Sequence, residues 1–585
     1  MNNTIIDTIS IWTTAQKLKT SGRGRSADNQ NLHGINKLRE LILELAIQGK
    51  LVKQDPNDEP ASILLKKIAL EKRRLEKAGE IKIQPKLQEI SEEEKLLELP
   101  ENWEWTRLGT ISIINPRNDA KDESLASFVP MPLVTTSHTG KHGQEERIWG
   151  DIKQGYTHFA DGDIGLAKIT PCFENSKAVV FSNLIKGIGA GTTELHIARP
   201  YGKTLSARYV LLYLKAPQFL YLGATKMTGT AGQKRVPKNF FAENPFPLPP
   251  LAEQHRIVAK VDELMALCDQ LEKQQTDSNS AHEILVETLL DTLTNAPDQA
   301  DLETARQRIS NHFDTLFTTE YSIDRLKQTI LQLAVMGKLV PQNPDDEPAS
   351  VLLKKIAKEK ARLVKEGIIK KQEQSPEIEE DEKLFGIPMG WVWALGLTVA
   401  EFVDPQPSHR TPPEFQGGVP YVGYSDINHI TGIDFSNARK VAPSVFKEHQ
   451  ERYQVKLGDF VFGKIGTLGA PYFLPEPFDY CLSANLILIQ PKLSIVEPRF
   501  LAFFLDSPAF IQVLGDKKTN STHGVFGIKK ARLITLPLPP LAEQHRIVTK
   551  VDELFAICDA LKERINESQV AQLNLADALV DGAVG

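Results

Sequence analysis

Several short stretches have residue types that could carry catalysis, and none has the context its chemistry needs. Gly187-Ile188-Gly189-Ala190-Gly191 has the glycine spacing of a nucleotide-binding turn. Such a turn must open a helix whose N-terminus faces the phosphates. Here it runs into Thr192-Thr193-Glu194-Leu195-His196-Ile197, which reads as a strand, so a β-turn or a backbone approach to DNA is expected instead. Gly202-Lys203-Thr204 supplies the end of a phosphate-binding loop without its earlier glycine. Asn244-Pro245-Phe246-Pro247 does not match the Asn/Asp-Pro-Pro-Tyr/Phe of an amino-methyltransferase. No HExxH or serine-elbow motif occurs. Cys172, Cys268, Cys481 and Cys558 form no CxxC pair, so neither a zinc site nor a disulfide framework is indicated. His255 and His545 stand beside Arg256 and Arg546 in a repeated segment, where a structural or partner-facing role is expected.

That repeated segment organises the chain. Pro247 to Glu272 reads PLPPLAEQHRIVAKVDELMALCDQLE and returns at Pro537 to Lys562, with 21 of 26 positions identical. Ile257, Val261, Leu264, Cys268 and Leu271 step 4, 3, 4, 3, as do Ile547, Val551, Leu554, Cys558 and Leu561. This is a heptad seam that buries one stripe against a partner helix. A thiol on the seam behaves as a small hydrophobe. The Pro-Leu-Pro-Pro in front is expected to stop a strand ladder and stiffen the start of the helix.

A second repeat lies upstream, Leu38 to Ile83 against Leu326 to Lys371. Ile35, Leu38, Ile42 and Leu45 share one helical face, as do Ile323, Leu326, Ile330 and Leu333. Gly49 and Gly337 suit helix C-termini, and Pro60 and Pro348 suit the first position of a following helix. Gly79 and Gly367 close those second helices.

Between the repeats lie two divergent globules. Each opens on alternating tryptophans, LPENWEW at Leu99 to Trp105 and IPMGWVW at Ile387 to Trp393, which fit a strand with both rings in the core. Ala178 to Phe181 and Leu486 to Ile489 read as strands, and Ala207 to Lys215 and Pro498 to Asp506 as helices. Gly162-Asp163 with Lys168-Ile169 resembles Gly458-Asp459 with Lys464-Ile465. A close frame with divergent heads is the mark of a tandem duplication.

With 585 residues, the chain is too long for one core. It has no apolar run of membrane-spanning length and no evident signal peptide, so a reducing cytoplasm is expected. Residues 100–246 hold 17 basic and 13 acidic side chains, and residues 388–536 hold 14 and 13. The rest holds 38 basic and 49 acidic. A polyanion is therefore drawn to the heads and repelled by the frame, unless the asymmetry is a chance fluctuation.

The GKLVxQxPxDEPAS segments, the LPENWEW opening and the PLPPLAEQHRIVxKVDEL helices carry a resemblance. From about Ile35 to Leu579 the chain resembles the specificity subunit of type I restriction-modification systems (HsdS), in its longer form with an extra N-terminal helix pair. The resemblance implies a mixed α/β (α+β) fold: two globular α/β target recognition domains, joined and flanked by long coiled-coil helices in a pseudo-twofold tandem repeat. The expected divisions are residues 1–99, an N-terminal conserved helical region; 100–246, the first target recognition domain; 247–387, a central helical spacer; 388–536, the second target recognition domain; and 537–585, a C-terminal conserved helix. Each domain is expected to read one half of a bipartite double-stranded DNA site. The helices are expected to set the gap and dock two methyltransferase subunits, which restriction-translocase subunits join. The chain itself is expected to catalyse nothing and bind no cofactor. S-adenosylmethionine, ATP and magnesium belong to the partner subunits. The alternatives are a stand-alone sequence-specific DNA-binding protein and a fused methyltransferase-specificity enzyme, the second opposed by the missing catalytic tetrapeptide.

DNA contacts are expected on loops whose donors suit phosphates and base edges. In the first head these are Thr135, Thr136, Ser137, His138, Lys168, Thr170 and the run Lys226, Thr228, Gln233, Lys234 and Arg235. In the second they are Ser408, His409, Arg410, Lys464, Thr467 and the run Lys517, Lys518, Asn520, Ser521, Thr522 and His523. Ordinary solvated loops use the same residue types. A helix from Leu251 to about Leu293 would span roughly 60 Å. Antiparallel packing of two such helices would hold the heads a fixed distance apart.

Overall fold

The computed structural model describes residues 9–18, 30–95, 97–230, 232–366, 376–406, 408, 410–464, 470–516 and 527–584. They group into two compact units, residues 1–280 with 567–585, and residues 281–566.

In the first unit, α1 (His33–Ile47) buries Ile35, Leu38, Ile42 and Leu45 along the expected stripe. Gly49 ends it with φ +69°, and Lys50 N–H reaches back to the Leu45 carbonyl at 3.0 Å. That return needs a left-handed residue, and glycine takes it without a Cβ penalty. A Cβ on Gly49 would lie 2.5 Å from Pro100 Cγ. α2 (Ala61–Lys77) follows a polar turn. Pro60 is its extended N-cap rather than its first helical residue, a shift of one position.

The first head then opens and closes on one ladder. Glu104–Arg107 pairs antiparallel with Pro245–Leu248, with Trp105 opposite Pro247 and Glu104 opposite Leu248. This corrects the expectation for Pro-Leu-Pro-Pro: its first two residues finish the ladder, and only Pro249 and Pro250 lie beyond it. A two-stranded ladder leaves every second backbone N–H outward, where proline costs no bond. Trp103 and Trp105 also divide their roles. Trp103 is 4% exposed and meets the Tyr209 ring edge-on at 6.3 Å, whereas Trp105 is half-buried.

Within the head, one sheet runs Glu145–Ile148, Leu125–Val129, Ile188–Gly191, Thr157–Ala160. The other runs Ser112–Ile114, Leu195–Pro200, Ile164–Ala167, Ala178–Val180. α3 (Ala207–Lys215) follows the second sheet, with the Ser206 hydroxyl capping its first turn. The glycine-rich run is corrected in part: Gly187, with φ +72°, does close a turn onto the Leu184 carbonyl at 2.9 Å. Gly189 and Gly191 lie inside a central strand, where added Cβ atoms would meet Phe159 at 2.5 Å and the Val129 carbonyl at 2.1 Å. Close sheet packing, not a turn or an approaching ligand, requires them.

α4 (Leu251–Thr294) is one helix of 44 residues. Its seam Ile257, Val261, Leu264 and Cys268 enters the same core as the α1 stripe. Burial pushes the Cys268 thiol up to about 11, so it stays protonated and apolar. Arg39 of α1 bonds Asp269 at 2.8 Å and Glu272 at 2.6 Å on α4. The partner helix of the seam is thus the first helix of its own repeat.

The second unit repeats these devices. α5 (Glu320–Val335) ends at Gly337 with φ +70°, and α6 (Ala349–Lys365) follows. Gly367 lies outside the described residues. Val392–Leu395 pairs with Thr535–Leu538, and Trp391 meets Phe500 edge-on at 6.2 Å. One sheet, Ala400–Val403, Leu486–Pro491, Phe460–Gly463, Tyr472–Phe473, matches the first head's second sheet in strand order. α7 (Pro498–Asp506) matches α3. Among the described residues the other sheet has three strands, Arg439–Val441, Val419–Val422 and Cys481–Leu482, against four in the first head. α8 (Leu541–Val584) carries the second seam; its residues 567–584 belong to the first unit, where Ala576 and Val580 join that core.

The fold is therefore mixed α/β, with two heads on long helices. Among the described residues, no helix is long and apolar enough to cross a membrane.

Candidate nucleic-acid interface

The shared Gly-Asp turn in each head is structural. Asp163 accepts the Ala160 N–H at 2.7 Å, and Asp459 accepts the Lys456 N–H at 2.9 Å. The remaining bonds differ, since Arg199 grips Asp163 with two contacts of 2.8 Å where Gln490 donates to Asp459 at 2.6 Å. The turn places Lys168 and Lys464 after the next strand, at matching points.

In the first head Lys168 and Thr170 meet the late run through the backbone. Val236 N–H donates to the Lys168 carbonyl at 2.8 Å and Thr170 N–H to the Lys234 carbonyl at 3.0 Å. Thr228 and Arg235 exchange two backbone bonds of 3.0 and 2.8 Å, which close the run into a hairpin. Lys226, Thr228, Gln233 and Lys234 are exposed on it. Arg235 is anchored instead: its guanidinium bonds Glu194 at 2.9 and 2.8 Å and holds that carboxylate below its usual range. The pair leaves the hairpin's lysines as its free positive charge.

Thr135 to Lys141 forms a compact loop. The Thr135 hydroxyl donates to the Lys141 carbonyl at 2.6 Å, and Gly140 N–H returns to the Ser137 carbonyl at 3.1 Å. Thr136, Ser137 and Lys141 are exposed. His138 faces the other way. Its Nε2 lies 3.3 Å from Asp262 on α4, which also receives Arg208 at 2.7 Å. Burial lowers the His138 pKa against the pull of Asp262, so the ring ties the loop to the frame at neutral pH chiefly as a neutral partner.

In the second head Ser408 and Arg410 are exposed on a loop built over a buried network. Gln406 donates to the Ser408 hydroxyl at 2.9 Å while its carbonyl oxygen meets His449 at 2.7 Å, and His449 meets the Tyr453 hydroxyl at 2.8 Å. Lys464 is 5% exposed and its ammonium sits 2.7 Å from Asp404. In this arrangement the charge serves the fold, unlike that of half-exposed Lys168. His409, Thr467, Lys517, Lys518, Asn520, Ser521, Thr522 and His523 lie outside the described residues.

The structure also contains groups that the sequence did not single out. Arg117 and Asn118 gather on His158: Asn118 N–H donates to Nδ1 at 3.1 Å and Arg117 Nη1 lies 3.1 Å from Nε2. Lys215 is 4% exposed beneath the Thr135–Lys141 loop. At the end of a nine-residue amphipathic helix a lysine reads as solvated, so no sequence signal marks it. Among the described residues no group of three or more His, Cys, Asp or Glu side chains could hold a metal.

The arrangement offers exposed cationic and hydroxyl donors on each head. Comparison with known proteins finds a family model, described as the type I restriction modification DNA specificity domain, that matches residues 100–278 and 406–568. The first match covers its head and the seam-bearing part of α4; the second begins at residue 406, inside the second head, and runs through the seam-bearing part of α8. The type I restriction enzyme EcoAI specificity subunit of Escherichia coli is 49% identical over 99% of both chains. The EcoEI specificity subunit of Escherichia coli is 46% identical over the same shares. Among solved structures, the HsdS subunit from Thermoanaerobacter tengcongensis aligns at 20% identity and a TM-score of 0.41, covering 84% of this chain and 98% of that one.

Proposed function

The chain belongs to the type I restriction-modification specificity-subunit family, and from that membership we propose that it directs a methyltransferase and restriction complex to a bipartite DNA site. Residues 100–246 read one half-site and residues 388–536 the other. The helical regions space the heads and dock two modification subunits, which restriction-translocase subunits join. The chain contributes sequence choice and no chemistry of its own; S-adenosylmethionine, ATP and magnesium act in the partners, and the complex works in the cytoplasm.

One observation carries this reading: the frame repeats closely while the heads diverge. Gln254 and Arg256 find the same kinds of partner in their unit as Gln544 and Arg546 do in theirs. A closely repeated frame with divergent heads suits modular recognition, in which each head supplies its own base contacts.

The test is an exchange of residues 100–246 for the matching region of a relative, followed by methylation mapping in a host carrying the system. One half of the recognised sequence changes and the other stays. A change in both halves defeats separable heads, and methylation by the highly purified chain alone defeats the non-catalytic role.

A further inference from the structure

We propose that Lys215 is a positioning residue for half-site reading, clamping the Thr135–Lys141 loop to the turn at Ser176 in the first head. This rests on the proposed role of that head in reading DNA.

Lys215 is the last residue of α3, and its ammonium donates to the Thr136 carbonyl at 3.1 Å and the Ser176 carbonyl at 2.6 Å. Both acceptors are neutral. Burial without a neighbouring carboxylate lowers the lysine's pKa to about 7. A fold that needed only to fill this space would be served better by methionine, because an ammonium is costly to remove from water. The buried amine is therefore to be explained by what it holds.

It holds two segments that present donors to solvent. Thr136 and Ser137 are exposed on the first. The second is short and internally bonded: Phe173 N–H reaches the Ile169 carbonyl at 3.0 Å, Ser176 N–H the Phe173 carbonyl at 2.8 Å, and Lys177 N–H the Cys172 carbonyl at 3.0 Å. A shift at Ser176 is thus felt at Lys168 to Thr170, which are bonded to the Lys226–Arg235 hairpin. Leu211, one turn earlier on α3, adds an apolar grip. A Cβ on Gly140 would lie 2.5 Å from its Cδ2, and Val180 N–H binds the Gly140 carbonyl at 3.1 Å. One helix face therefore seats the loop at Gly140 and locks it at Thr136.

The second head has a different residue at this point. The matching last residue of α7 is Asp506, which cannot donate to carbonyls when ionised. Loss of the clamp is confined to the first half-site.

The experiment uses the full chain with its modification subunits. Lys215→Met is compared with wild type by methylation mapping and by hydrogen exchange at the Thr136–Lys141 amides. Exchange there rises by about tenfold or more, as expected when a local anchor opens. The first half-site loses about tenfold discrimination at one or more bases, the scale of a misplaced base contact. The second half-site stays sharp. Unchanged exchange overturns the clamp, as does faster exchange with an intact first half-site. Equal relaxation of both half-sites also overturns it, since that is general destabilisation. If Lys215→Met does not fold, Lys215→Leu, which likewise has no donor, is read by the same two measurements. A wild-type recognition sequence that is not bipartite defeats the proposed function instead, and the exchange result still decides the clamp.

Discussion

Arg256 grips Asp58 through both terminal nitrogens, at 3.1 and 2.6 Å, and Arg546 grips Asp346 in the same way at 3.3 and 2.6 Å. In each unit the pair joins the first turns of a long helix to the turn before α2 or α6. The Asp58 and Asp346 side chains are only 8% and 7% exposed. The identity of the two AEQHRIV stretches thus has a structural cause within each unit.

Arg256→Ala should therefore destabilise the first unit. Removing the guanidinium leaves a largely buried carboxylate without its partner, a loss of about 1–3 kcal/mol. His255→Ala, at an exposed neighbour, should stay within roughly 0.5 kcal/mol of wild type. Urea unfolding of the full chain compares them, and equal effects would refute a structural role for the pair.

Glu44 and Gln332 occupy matching places in α1 and α5, and each accepts a backbone N–H at the start of a neighbouring helix, Gln218 and Ala509. Glu44 is 1% exposed, and burial raises its pKa above 4.5. The folded state then binds the proton more tightly than the unfolded state. Its favourable contribution is full below the unfolded carboxylate range and is lost as pH rises through the folded value. Glu44→Gln should remove that loss, leaving the variant more stable than wild type at pH 7 to 8 with the gain shrinking toward pH 4. Gln332→Glu should introduce the same loss in the second unit. Thermal unfolding across pH measures both, and a pH-independent difference would exclude titration of Glu44 as the cause.

The sequence is legible where a signal is local. The α1 and α4 seams depend on spacing alone, and Ile35, Leu38, Ile257 and Val261 are all buried. Gly49 is legible because a left-handed helix end is a local demand. Pro247 misleads because its tolerance depends on which ladder edge faces outward, and that is a tertiary fact. Gly189 and Gly191 mislead for the same reason: Phe159 lies thirty residues away in the chain. Lys464 and Lys168 occupy matching sequence contexts, yet Asp404 buries one of them. Glu44 and Lys215 give no signal because a charged residue on an amphipathic helix reads as exposed until the opposing carbonyl or amide is placed.

The long helix itself gives the last test. Ile257 through Cys268 are committed to the core of the first unit, and Arg39 holds Asp269 and Glu272. An insertion there would break that seam and confuse spacing with folding. Lys273, Gln274, Thr276, Asp277 and Ser278 are exposed, so four residues inserted after Gln274 spare the seam. They lengthen the helix by about 6 Å and rotate its C-terminal part by about 40° beyond one turn. B-DNA rises about 3.4 Å per base pair in each strand. If the helices set the gap, the variant should prefer a gap one or two base pairs longer, or lose binding where the rotation defeats it. Both half-site sequences should stay the same, because no head residue has changed. Methylation mapping reads gap and half-sites together. A folded variant that assembles with its partners and methylates the original gap with undiminished preference would show that the spacing is set elsewhere.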